Sequence, residues 1–220
     1  MNIAEKLQAV AENQQKVYDA GYAAGQSAGG NTDEAYQDGF ADGKLAEYDA
    51  FWDVLQQKGN RRNYWGAFAF WTDEIFKPKY PIVATANKSM FYLATITQVP
   101  TMDFSGGNYA VENTFDYATS IITIEKIIIK ADGTQRISLG FTGCRKLVNV
   151  SFEGVIGASI SFADCSLLSK ASIENVVGVL SNTTTGTTAT FNKAAVNVAF
   201  TTDEWNALVA TKPNWTVTLV

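Results

Sequence analysis

The feature that most constrains the fold of this chain is an internal repeat. Phe141-x-x-Cys144-x-x-Leu147-x-x-Val150-x-Phe152 recurs as Phe162-x-x-Cys165-x-x-Leu168-x-x-Ala171-x-Ile173. Two weaker copies lie upstream, Phe115-x-x-Ala118-x-x-Ile121-x-x-Ile124 and Met90-x-x-Leu93-x-x-Ile96-x-x-Val99, so that successive copies start 25, 26 and 21 residues apart. A unit this short cannot bury its own apolar side, so each copy must stack on its neighbour. The ends of the copies, Thr123–Lys130 and Leu147–Phe152, read as short strands that form a parallel sheet.

A period of roughly 20–29 residues with an apolar residue at every third position suits a leucine-rich repeat solenoid. Cys144 and Cys165 hold equivalent positions in it. Stacking brings them about 5 Å apart, the interstrand spacing, so a disulfide is open on distance. The alternative is that each thiol fills its turn as a small buried hydrophobe. After the last copy, Ser169–Ser172 opens a helix through Leu180, and a strand follows near Thr188–Phe191. Helical turns over Ala194–Phe200 and Asp203–Ala210 and a strand over Trp215–Val220 complete a C-terminal cap. Thr202 or Asp203 is the expected N-cap of the second of these turns, and Trp205 and Trp215 are expected to pack inward.

Ahead of the repeats the character of the chain changes. Residues 1–60 carry 4 basic and 10 acidic side chains, whereas residues 61–220 carry 13 and 12. Ile3, Leu7, Val10, Gln14, Val17, Gly21 and Ala24 alternate at spacings of four and three, the rhythm of a coiled-coil seam. That narrow stripe predicts self-association, with a helix folding back on its own chain as the alternative. Tyr18-x-x-Gly21-x-x-x-Gly25 and Tyr36-x-x-Gly39-x-x-x-Gly43 then place glycines four apart, where a second backbone can approach. Ser27–Asn31 reads as a turn, Asp33 as the N-cap of a second helix to about Gln57, and Gly59-Asn60 as its end.

Between stalk and repeats lies an aromatic stretch containing Tyr64, Trp65 and Trp71. It reads as the N-terminal cap that a solenoid requires, and alternatively as an aromatic platform for sugars. The expected organisation is α+β: a helical oligomerisation stalk over 1–60, an aromatic cap over 61–88, a short leucine-rich repeat solenoid with a parallel sheet over 89–180, and an α/β cap over 181–220.

Composition narrows the chemistry. There is no histidine, which removes Ser–His and Cys–His nucleophiles, imidazole acid–base catalysis and histidine metal ligands together. Two cysteines are too few for a thiolate zinc site. Neither a cofactor nor a metal is expected. Asp103, Glu112, Asp116, Glu125, Asp132, Glu153 and Asp164 are among the carboxylates that could form a glycosidase pair, but they recur in no constellation and read as a solvated surface. Ser105-Gly106-Gly107-Asn108 lacks the lysine of a phosphate-binding loop and reads as a turn, as does the threonine run around Gly186. A net charge of −5 without a basic stripe argues against nucleic acid. The sequence shows no signal peptide and no apolar run of the roughly 18 residues a membrane span needs.

The Phe-x-x-Cys-x-x-Leu-x-x-Val-x-Phe rhythm resembles the BspA-like subfamily of leucine-rich repeats, found on bacterial surfaces and in phage-encoded proteins. The wider order of blocks resembles phage and prophage virion proteins of gut Firmicutes: Ile3–Leu7, the Tyr-x-x-Gly-x-x-x-Gly segments, Glu47–Trp52, Gly59–Arg61, Phe76–Tyr80, the repeats and the tail Asp203–Trp215. The resemblance implies a non-enzymatic virion component, made in the bacterial cytoplasm, that forms a homotrimer and contacts other virion proteins. As a tail fibre or appendage it would recognise a host cell-surface glycan or protein. The alternatives are a head, neck or tail decoration protein without a ligand and, further off, a carboxylate-based cell-wall hydrolase.

Overall fold

The structure is a computed structural model, and it describes residues 62–63, 73, 82–86, 90–107, 109–110, 113–137 and 140–220. The chain divides between Lys58 and Gly59, and every described residue belongs to the second unit, Gly59–Val220. The stalk residues Ile3, Leu7, Val10, Gln14, Val17 and Gly21, and the aromatic residues Tyr64, Trp65 and Trp71, lie outside the described residues.

The described part is a mixture of helices and parallel sheets. Its strands are β1 (Arg62–Asn63), β2 (Ile82–Ala86), β3 (Gln98–Val99), β4 (Met102–Asp103), β5 (Tyr109–Ala110), β6 (Thr123–Ile128), β7 (Arg136–Ile137), β8 (Asn149–Glu153), β9 (Ile160–Phe162), β10 (Thr187–Phe191) and β11 (Trp215–Leu219). Its helices are α1 (Lys170–Gly178), α2 (Lys193–Ala199) and α3 (Thr202–Ala210). All pairings among these strands are parallel, and partners lie 20 to 29 residues apart in sequence. Parallel neighbours need a crossover of a dozen or more residues, and the repeat supplies it.

One sheet runs β1-β2-β4-β6, with β3 and β8 also paired to β6. Pro100, which has no N–H to give, separates β3 from β4 opposite the continuous β6. The Glu125 carboxylate accepts the Thr101 N–H there at 3.0 Å. Apolar residues alternate inward along the strands: Val99, Ile124 and Val150 are in register and buried, as are Met102, Ile127 and Phe152. A second sheet runs β9-β10-β11, so the C-terminal strand joins the last copy through β10.

The core is organised around a column of phenylalanines. Phe91, Phe115, Phe141, Phe162 and Phe191 stack in sequence order with ring centroids 5.3, 5.4, 4.5 and 5.9 Å apart, all buried. This corrects the expected first copy. Its anchor is Phe91, not Met90, because the Phe91 N–H donates to Thr114 O just as Phe115 N–H donates to Gly140 O. Leu93 therefore takes the exposed position that Tyr117 holds in the next copy, and between Ala94 and Ile96 there is one residue where the Phe115 copy has two. Ile96 and Val99 are buried as expected.

The last copy departs in another way. Where a strand would follow β8, the chain forms α1, and Ala171 faces solvent. The helix still satisfies the sheet edge. Ser172 Oγ accepts the Val150 N–H at 3.0 Å, and Asn175 Oδ1 accepts the Phe152 N–H at 2.7 Å while its Nδ2 donates to Phe152 O. Ser169 caps the helix start. At its other end the Lys212 ammonium, buried, donates to Gly178 O, Leu180 O and Asn182 Oδ1. Trp215 is buried and donates from Nε1 to Ser181 O, and Trp205 lies against Phe191 and Phe200. The N-cap of α3 is Thr201, one or two residues before the expected Thr202 or Asp203. It forms a capping box in which Glu204 returns to the Thr201 N–H.

Candidate functional site

The cysteines occupy the interior, not a site. Cys144 and Cys165 are free thiols, both fully buried. Each S–H donates to the phenylalanine carbonyl of the preceding copy, Cys144 to Phe115 O at 3.1 Å and Cys165 to Phe141 O at 3.9 Å. Burial pushes the Cys165 thiol up to about 12 and raises Cys144 as well. A thiol held protonated is a poor nucleophile.

The described carboxylates of the candidate glycosidase set are each held in structural bonds. Asp103 accepts from Ser105 N and Oγ, and Asp132 likewise from Thr134. Asp164 accepts the Gly143 N–H at 2.8 Å, Glu153 pairs with Lys126 at 3.0 Å, and Glu125 takes the Thr101 N–H. Asp116 accepts the Thr142 N–H at 3.3 Å; burial raises its carboxyl and the Thr142 bonds partly offset this. Glu112 lies outside the described residues. Among the described residues no group of His, Cys, Asp or Glu is arranged to hold a metal, and no helix is long and apolar enough to cross a membrane.

What distinguishes one part of the surface is the Phe-x-x-Cys turn. Its third residue adopts a left-handed backbone in three copies: Leu93 at φ 57°, Tyr117 at φ 58° and Gly143 at φ 75°. Leu93 N–H donates to Asp116 O and Tyr117 N–H to Thr142 O, so the three turns stack in register. Glycine meets this conformation without cost, whereas a residue with a Cβ pays roughly 1–2 kcal/mol. Gly143 also makes room: a Cβ there would come within 3.3 Å of the Tyr117 ring.

The side chains carried at that cost are not core. Tyr117 is 49% exposed, Leu93 38% and the preceding Tyr92 37%. The two tyrosine rings meet at 84° with centroids 5.9 Å apart, forming an aromatic corner. Asp116 and Thr142 occupy the positions equivalent to Tyr92 in the next two turns. Sequence reasoning did not single out this corner. The available signal was positional: Tyr117 precedes Ala118 as Gly143 precedes Cys144, so a tyrosine stands where the next copy has glycine.

Comparison with protein-family models, with curated proteins and with solved structures finds no match for this chain.

Proposed function

We propose that the protein is a non-enzymatic phage virion component, an oligomeric tail fibre or appendage that presents a leucine-rich repeat solenoid for recognition of the host surface. The solenoid reading is supported by parallel partners 20 to 29 residues apart and by the five-membered phenylalanine column. The recognition role is carried by one observation: the buried position of the turn is phenylalanine in every copy, while the two positions after it differ from copy to copy, and only Tyr92, Leu93 and Tyr117 among them are exposed. The pairs read Tyr92-Leu93, Asp116-Tyr117, Thr142-Gly143 and Ala163-Asp164. A scaffold that repeats inside and varies outside is suited to display.

The 1–60 region, at six excess acidic charges, would set the oligomer, with the homotrimer as the expected number. Several weak sites on one oligomer then gain avidity through effective concentration.

Labelled full-length protein incubated with host bacteria tests the reading. Saturable binding that competes with phage adsorption is the expected result. Absence of binding by the full-length oligomer favours the decoration alternative, and clearing of a cell-wall suspension would instead indicate a hydrolase. Light scattering checks the oligomer, and a monomeric full-length chain would contradict the stalk.

A further inference from the structure

We propose that the Tyr92–Tyr117 corner binds a gluco-configured saccharide of the bacterial cell surface, the sugar stacking on an aromatic ring with its hydroxyls meeting Asp116 and Thr142. The proposal deepens the recognition role and rests on it.

The first argument is from backbone conformation. The third residue of the turn is left-handed in three copies, and in one of them it is a glycine, Gly143. At Tyr117 the same backbone carries a large ring. Strain of this kind persists where the surrounding structure enforces it, and it concentrates at functional positions. A side chain retained against backbone preference is retained for what it touches.

The second argument is that the ring is not needed for packing. Phe115, two residues earlier, fills the core and is fully buried, while Tyr117 stays half exposed. Its ring meets Tyr92 and lies beside Gly143, where the absence of a Cβ makes room for it.

The third argument is chemical. Two rings at a right angle offer an apolar face and an adjoining wall. A pyranose whose hydroxyls are all equatorial has an apolar C–H face and a polar perimeter. The face suits an aromatic platform. The perimeter needs acceptors and donors beside it: the Asp116 carboxylate stands in the same turn as Tyr117, and Thr142, bonded to it, stands in the turn after that. Peptidoglycan glycan strands, built from N-acetylglucosamine and its lactyl ether, have this configuration.

The test uses the full-length protein with two probes, a β-1,4-linked N-acetylglucosamine tetramer followed by tyrosine and tryptophan fluorescence, and purified peptidoglycan followed by co-sedimentation. Tyr92→Ala and Tyr117→Gly are compared with wild type, and Tm is recorded for each. The expected result is binding by wild type and a loss of about tenfold or more in each variant. Tyr117→Gly should keep its Tm within about 4 °C, since glycine fits the backbone. Unchanged binding by Tyr117→Gly would overturn the corner while leaving host recognition intact. Wild-type binding to whole cells but to neither probe would overturn the saccharide alone. No binding to cells or probes would overturn both the corner and the recognition role. A large fall in Tm for Tyr117→Gly would make the tyrosine structural and overturn the proposal.

Discussion

Phe115 and Tyr117 are two residues apart on one turn and answer to different demands. Phe115 stacks between Phe91 and Phe141 and is completely buried; Tyr117 occupies a strained backbone and is half exposed. The column is phenylalanine in all five layers, whereas the two residues that follow it differ among the four turns. In a stacked repeat each layer contacts only its neighbours, so a defect in the column is felt locally but cannot be repacked from elsewhere. The surface position carries no such burden, which leaves it free to vary.

The contrast can be broken most forcefully at Phe141, whose ring meets Phe115, Phe162 and Phe152. Phe141→Ala should cost about 3–5 kcal/mol in chemical denaturation, the range for large buried aromatics. Lys212→Ala comes next. It leaves the Gly178 and Leu180 carbonyls without their donor and should cost about 2 kcal/mol by the same measurement, because a buried acceptor stripped of its partner keeps its desolvation penalty. Asn175→Ala removes the bonds to both the N–H and the C=O of Phe152 at the sheet edge, with an expected loss of about 1–2 kcal/mol.

A smaller, pH-dependent effect lies at the surface. Glu204 is held at about 2 by hydrogen bonds from Lys170 and Thr201, well below its ordinary value. A depressed carboxyl stabilises the folded state above its unfolded value of 4.5, and that contribution disappears as pH falls towards about 2. The Tm gap between wild type and Glu204→Gln should therefore be present at neutral pH and close in acid. Both side chains of the Lys170–Glu204 pair are more than two-fifths exposed, so added salt should narrow the gap as well. A gap independent of pH would show that the capping box works without its charge.

How far the fold could be read from the sequence followed the same division. The Phe141 and Phe162 copies were legible because Phe, Cys and Leu recur at unbroken spacing and all three are buried. The first copy was misplaced by one residue because Met90 and Phe91 are both buried and the chain drops a residue before Ile96. Phe191 went unrecognised as the fifth ring, since α1 and its following loop stretch the interval from Phe162 to 29 residues. The elements after Ser169 were predicted close to where they lie; the capping residue of α3 shifted because Thr201, Thr202 and Asp203 are all acceptable caps and only geometry selects among them. The tyrosine corner was invisible for a different reason. A left-handed φ at Tyr117 is imposed by the stacked turns, and tyrosine gives no local indication of it.

The separation of column from turn surface is tested most directly by the thermal stability of Tyr117→Gly. Strain relief and the greater freedom of glycine when unfolded are each about 1 kcal/mol and oppose one another, so Tm should stay within about 2–4 °C of wild type. A fall of 10 °C or so, comparable with Phe141→Ala, would mean that the turn residue belongs to the core, and would contradict the account.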